Sequence, residues 1–259
     1  MLGWSINLFR IRGIQLSLHG SFLLLLAYSA WEGWSDGGGA EGLLWNVATL
    51  LAFFTCVVLH ELGHSFTARR FGVGVRRILL MPIGGMAEFD AIPREPGREL
   101  LITLAGPAVN FVIAGLLWVI VGFPGNWSPG ESLPEGLRDF AQIVLIWNLA
   151  MGVFNLAPVF PMDGGRIFRA LLATRLPYLR ATFWAATVGK VLAVIAAGVA
   201  LFVFHAYLLA ALFAFIFFAG DMEYRATKRR ELEEAHRREM LARLRATPPT
   251  EEPPLLTLS

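Results

Sequence analysis

Apolar residues run along this chain in long blocks, and its polar residues gather in the short intervals between them. A block of about 20 apolar residues, helical at 1.5 Å per residue, crosses the ~30 Å hydrocarbon core of a bilayer. On that measure residues 14–31, 43–66 and 100–122, with a stretch starting near Phe140, each predict one spanning helix. Residues 182–220 form a block nearly twice as long, which predicts two spans joined by a tight turn around His205. A cleaved signal peptide competes for the first block, but the spans that follow at once favour a retained helix. One apolar stretch fits no span: residues 78–89 (ILLMPIGGMAEF) are too few to cross and are broken by Pro82 and by Gly84-Gly85. Such backbone survives at membrane depth only where protein or water satisfies it, so a re-entrant or interfacial β-hairpin-like segment is expected after the second helix. The expected fold is an all-α polytopic membrane protein with six transmembrane helices and that one hairpin.

Composition agrees with a membrane protein. Of 259 residues, 56% are hydrophobic and only 16% charged, and the mean hydropathy is +0.57; soluble domains carry about 25% charged residues. A formal charge of +2 and a pI near 9.0 do not point to nucleic acid, because the arginines are dispersed through short loops. They read instead as a topology signal. Arg69, Arg70, Arg76 and Arg77 follow the second block and Arg166, Arg169, Arg175 and Arg180 the fourth, whereas residues 32–42 have no Lys or Arg and residues 123–139 only Arg138. Positive loops stay inside, so both termini are expected in the cytoplasm, with the plasma membrane as the expected location. The single cysteine, Cys56, excludes an intrachain disulfide. Beyond Gly220 the chain turns polar: residues 221–245 predict a charged helix, with Glu233 and Arg237 at i, i+4 spacing, and residues 247–259 a disordered tail. The expected organisation is a membrane domain over 1–220, with its core at about 43–172, and a cytoplasmic tail over 221–259.

The chemistry gathers at the end of the second block, in His60-Glu61-Leu62-Gly63-His64. On a helix, His60 and His64 lie one turn apart on one face and form a clamp for one Zn²⁺. Glu61 sits about 100° round the helix, placed to take a proton from an attacking water. The bland alternative is two histidines hydrogen-bonded within a bundle. The second and fourth blocks both travel inward, so Asp163, at the inner end of the fourth, reaches the depth of the histidines. A carboxylate there is costly unless it pairs or binds a cation, which makes Asp163 the candidate third ligand; helix capping is its alternative role. Three ligands leave a fourth position open, as in hydrolytic zinc sites. Asn155 is near enough to Asp163 in sequence to reach the metal centre and bind a developing oxyanion, amide bonding from helix to helix being the alternative. Asn148 lies seven residues earlier, on the same face. Cys56, one turn before His60, fits packing better than ligation.

At these residues the chain resembles the site-2 proteases, zinc metalloproteases that hydrolyse peptide bonds inside membranes. The resemblance rests on His60 to His64, on Gly84-Gly85-Met86-Ala87-Glu88-Phe89, on Ala105-Gly106-Pro107-Ala108-Val109-Asn110, and on Asn155-Leu156 through Pro158 and Pro161-Met162-Asp163-Gly164-Gly165-Arg166. It implies that His60, His64 and Asp163 are the zinc ligands, that Glu61 is catalytic base and acid, and that Asn155 and Pro161 help hold substrate. It also implies a single-span membrane protein as substrate, often clipped first by an upstream protease. Some members carry a PDZ domain or a CBS pair; neither is expected here. The segment beginning at Gly84 and Gly85 is expected to offer an extended edge to the unwound substrate, anchoring in the interface being its alternative role. A divalent-metal transporter and an inactive scaffold of the same fold are the rival readings; the glutamate within the histidine pair argues against both.

Overall fold

The computed structural model describes residues 4–90, 93–122 and 136–246. The chain opens with two strands, β1 (Ser5–Ile11) and β2 (Ile14–His19), where a helix was expected from residue 14. The reason is period: Ile14, Leu16 and Leu18 alternate with Gln15, Ser17 and His19, which is strand spacing. Arg12 and Gly13 join the strands with φ of 45° and 88°, both positive as a two-residue hairpin turn of this type requires. Helix α1 (Ser21–Gly33) follows, then a π-helical turn (Trp34–Gly38) and the long helix α2 (Gly39–Arg70). Residues 32–42 are thus mostly helical rather than a loop. A Cβ on Gly33 would lie 2.7 Å from the carbonyl carbon of Gly42, so α1 and α2 fold back tightly on each other here.

After α2 come β3 (Val75–Met81) and β4 (Gly84–Phe89), then α3 (Pro96–Val121), α4 (Leu137–Asn155), the short α5 (Asp163–Ala173), α6 (Tyr178–Phe202) and α7 (Tyr207–Ala246). The β3–β4 hairpin matches the expectation for residues 78–89 as local structure. Its setting does not, because it belongs to a four-stranded sheet of order β1-β2-β3-β4 in which β2 and β3 are parallel. The all-α expectation is corrected accordingly: the molecule is mostly helical with one small mixed sheet. Ile14, Leu16, Ile78 and Leu80 of that sheet pack with Phe22 of α1 and with Phe54, Val57 and Leu62 of α2.

Among the described residues five helices are long and apolar enough to cross a membrane: α2, α3, α4, α6 and α7. The block at residues 14–31 gives a helix of only 13 residues, so it does not form the expected first span by itself. Large apolar side chains stand exposed on these helices, including Val119 at 81% and Leu208 at 87%, as lipid-facing surfaces require. Inside, small residues let helices approach: Ala185, Ala186, Gly189, Ala193 and Ala200 are buried along α6, which packs on α7. The turn expected at His205 is present, with φ 52° at that residue. The expected boundary at 220–221 falls inside α7, where the sequence becomes charged without a residue that ends a helix. The loop expected at 123–139 lies mostly, and the tail at 247–259 wholly, outside the described residues.

Candidate metal centre

Helix α2 carries His60 and His64 one turn apart, both buried. Helix α5 starts at Asp163, and its carboxylate meets them: Asp163 Oδ2 lies 3.2 Å from His60 Nε2 and 3.2 Å from His64 Nε2, with the two nitrogens 3.1 Å apart. Ligands held at 2.0–2.1 Å in a tetrahedron stand about 3.3–3.4 Å from one another, so the triangle has the size a zinc ion needs.

Proton positions decide what this triangle is. His64 Nδ1 faces the carbonyl of Ile102 at 2.8 Å, and a carbonyl only accepts. His60 Nδ1 faces Asn110 Oδ1 at 2.5 Å. The orientation of Asn110 follows from the next links: Asn110 Nδ2 donates to Asn148 Oδ1 at 2.9 Å, and Asn148 Nδ2 donates to the Val144 carbonyl at 2.8 Å. Since the Val144 carbonyl can only accept, every amide in the chain is oriented and His60 Nδ1 must carry a hydrogen. In their neutral form, the form that binds a metal, both imidazoles thus turn bare Nε2 lone pairs toward Asp163 Oδ2, which is buried and without a hydrogen bond. Three electron-rich atoms so close repel unless a cation sits among them. The donor set fits Zn²⁺, and each histidine has the outer hydrogen bond that metal-ligating imidazoles use.

Helix α3 builds the back wall, presenting Ile102, Gly106 and Asn110 at successive turns. A Cβ on Gly106 would overlap His64 Nε2 and stand 2.8 Å from His60 Nε2, so only glycine leaves the ligand atoms uncovered. Across α2, β4 passes Glu61: a Cβ on Gly85 would be 2.8 Å from Glu61 Cγ and 3.0 Å from Val57 Cγ1. Glu88, further along β4, accepts a hydrogen bond from Arg77 at 2.7 Å, which holds its carboxyl below the ordinary glutamate range and away from the centre.

Of the residues singled out in the sequence, His60, His64, Asp163 and Glu61 come together, with Gly85 beside them. Gly84, φ 133°, opens β4, and a Cβ built on it would meet nothing within 4 Å. Asn155 ends α4, half-buried, and makes no hydrogen bond to the ligand atoms. Pro161 is exposed, two residues before Asp163, after a cis peptide bond. Cys56 accepts a hydrogen bond from Asn148 Nδ2 at 3.1 Å and lies outside the ligand set. The sequence reading missed the roles of Gly106 and Asn110, although an amide inside an apolar span is itself a signal. It also missed the anchor of α5. Arg169, 2% exposed, donates to Glu99 Oε1 from Nε at 2.9 Å and to Glu223 Oε1 at 2.7 Å, tying the helix that carries Asp163 to α3 and α7.

Comparison with known proteins agrees with this geometry. The profile of peptidase family M50 matches residues 48–126 and 125–196. The zinc metalloprotease MJ0392 of Methanocaldococcus jannaschii is 42% identical over 75% of this chain and 53% of its own. The putative zinc metalloprotease Rip3 of Mycobacterium tuberculosis is 33% identical over 77% of this chain and 52% of its own. The chain thus spans about half the length of these curated relatives. A solved structure, the site-2 protease from Methanocaldococcus jannaschii, superposes with a TM-score of 0.59 at 38% identity, covering 85% of this chain and 95% of that one.

Proposed function

The chain belongs to peptidase family M50, the site-2 proteases, and from that premise we propose that it is a membrane-embedded zinc endopeptidase. Its proposed substrate is a single-span membrane protein, cut within or near its transmembrane segment. The observation that carries this reading is the meeting of two imidazole Nε2 atoms and one carboxylate oxygen at 3.1–3.2 Å, with Glu61 adjoining. His60, His64 and Asp163 would hold the ion, which when bound supplies Lewis acidity toward water and the scissile carbonyl. Glu61 accepts the proton of the attacking water and returns it to the leaving amine. The Asn155 side chain donates to the oxyanion as it develops, and Pro161 shapes the approach to Asp163.

A transmembrane helix cannot present its peptide bond until a stretch unwinds, and each freed backbone group then needs a partner. In this reading β4, from Gly84 and Gly85 onward, supplies them by strand addition. The arginine-rich ends of the spans face the cytoplasm, as do both termini, and the host is the plasma membrane. Residues 21–38, α1 with its π turn, would make a short sixth crossing of about 27 Å. An upstream protease acting first on the substrate completes the scheme.

Glu61→Gln tests the reading. Glutamine cannot accept the water's proton while all three ligands remain, so the variant should bind zinc as the wild type does and cleave a co-expressed single-span substrate 10²–10⁴-fold more slowly. Wild-type turnover by this variant would refute the assignment, and metal flux across vesicles that persists in it would support a transporter instead.

A further inference from the structure

Beyond Asp163, α5, α6 and α7 line an open cavity of about 120 Å³, room for several waters. Four arginines line it: Arg94, just before α3, Arg166 and Arg169 of α5, and Arg230 of α7. Two of them are already neutralised. Arg169 is held by Glu99 and Glu223, and Arg94 donates to both carboxylate oxygens of Glu234, at 2.8 and 2.9 Å. Arg166 and Arg230 have no such partner: among the described residues neither makes a hydrogen bond or an ion pair, although both act through space on Glu223 and Arg166 also on Glu61. Four guanidinium groups against the three carboxylates of Glu99, Glu223 and Glu234 leave one positive charge in excess at the cavity, and a bound anion offsets it. The remaining walls are the Glu223 carboxylate, whose charge Arg169 takes up, and the hydroxyls of Tyr178 and Thr227, the latter 7% exposed.

We propose that this cavity binds a phosphate group. The guanidinium fork matches phosphate oxygens bidentately, two forks can grip one tetrahedral anion, and hydroxyl donors complete its shell. Its position suits an acidic phospholipid headgroup. Tyr178 opens α6, Arg94 precedes α3, and Glu223 to Arg230 follow the apolar part of α7, so the cavity lies at the polar, arginine-rich ends of the spans. Basic pockets between transmembrane helices on that side are where anionic headgroups are recognised. A free phosphate has the same chemistry and is the second possible source. The site stands independently of the peptidase reading, and its test uses no substrate.

The experiment is native mass spectrometry of the purified full chain, offered phosphatidylglycerol or phosphatidylcholine in matched detergent, with inorganic phosphate as a third arm. Wild type should retain phosphatidylglycerol about tenfold more than phosphatidylcholine, and Arg230→Gln should remove about tenfold of that retention, the loss of one charge-assisted contact. Arg229→Gln removes the same charge at the next residue, outside the cavity, and should retain phosphatidylglycerol as wild type does. Arg230 is exposed, so its variant should melt as wild type does, which melting curves check. If inorganic phosphate alone raises the melting temperature in wild type and not in Arg230→Gln, the proposal stands with a soluble anion as ligand. Equal retention of the two lipids with no phosphate effect overturns it, and so does equal loss in the Arg229 and Arg230 variants, which would mean diffuse surface charge.

Discussion

Replacing Asn110 separates a residue that orients a ligand from one that merely fills space. In Asn110→Leu the volume is nearly kept, but His60 Nδ1–H loses its acceptor and Asn148 Oδ1 loses its donor. Asn110 and Asn148 are wholly buried and His60 is 5% exposed, so water does not readily replace either partner. Two buried groups left unsatisfied cost about 1–3 kcal/mol each, hence roughly 2–6 kcal/mol of stability. The metal feels a second effect: with Nδ1 unpartnered, the ring is free to rotate or to move its proton to Nε2, the atom that must stay bare. Loss of such an outer hydrogen bond lowers metal affinity about 10–100-fold, or ~1.4–2.8 kcal/mol. Asn110→Asp is the counterpart, since its carboxylate still accepts from His60 Nδ1–H and only the bond to Asn148 goes. Zinc competition against a chromophoric chelator, with melting curves in parallel, should place the leucine variant 10–100-fold weaker and the aspartate variant within about threefold of wild type. If the leucine variant binds zinc as tightly as wild type, or the aspartate variant loses as much, the oriented chain from Val144 to His60 does not hold the centre.

Two further substitutions probe the walls. Gly106→Ala puts a methyl group onto the imidazole nitrogens, and Gly63 packs so closely on the Ala105 carbonyl, with its would-be Cβ 2.6 Å away, that α3 cannot back off. Zinc content should fall to background with helicity by circular dichroism unchanged, and a full equivalent of zinc would contradict the geometry. Arg169→Met leaves Glu99, 0% exposed, without its cation and should cost about 3–5 kcal/mol; adding Glu99→Leu should recover most of this, and a double variant no more stable than the single one would count against the pair as the anchor of α5.

The parts of this molecule that sequence makes legible are those set by local spacing. His60 and His64 share a face because they are four apart, and residues 78–89 turn back at Pro82-Ile83 because the stretch is too short to cross. Asp163 follows from a longer argument, from two spans travelling in the same direction. The first apolar block has the hydrophobicity of a span but the period of a strand at its start: Ile14, Leu16 and Leu18 alternate, and Arg12-Gly13 just before them is a turn. Even with that strand recognised, nothing near it says that β2 lies parallel to β3, 62 residues later, at Gln15↔Arg77 and Leu18↔Leu80. The partners that complete the centre are remote in the same way. His60 meets Asn110 across 50 positions and Arg169 meets Glu99 across 70, so each residue could be judged unusual in sequence but not paired.

The sheet order leaves β4 at an edge, and its turn decides which groups that edge offers. Met81 and Gly84 flank a two-residue turn and so form the closing hydrogen-bonded pair. Antiparallel pairs alternate, which makes Leu80↔Gly85 and Ile78↔Ala87 the non-bonded ones. The N–H and C=O of Gly85 and Ala87 therefore point away from β3, toward the open side, while the α-carbon of Gly85 faces Glu61. An unprotected edge is a hazard that proteins usually cover, and here it runs beside the metal centre. Gly85→Pro would remove one outward donor but also add a Cβ against Glu61, so Ala87→Pro is the cleaner perturbation: the Cβ is already present, and the N–H lost is not part of the β3–β4 ladder. Zinc content and melting temperature should stay at wild-type values, whereas cleavage of a transmembrane substrate should fall about tenfold, as expected when one backbone hydrogen bond to an unwound strand leaves its partner unsatisfied in a dry site. A substrate with Gly or Pro at the cut site is already unwound and should be cut faster by the wild type. Wild-type cleavage by Ala87→Pro, with zinc retained, would show that the edge of β4 does not pair with substrate.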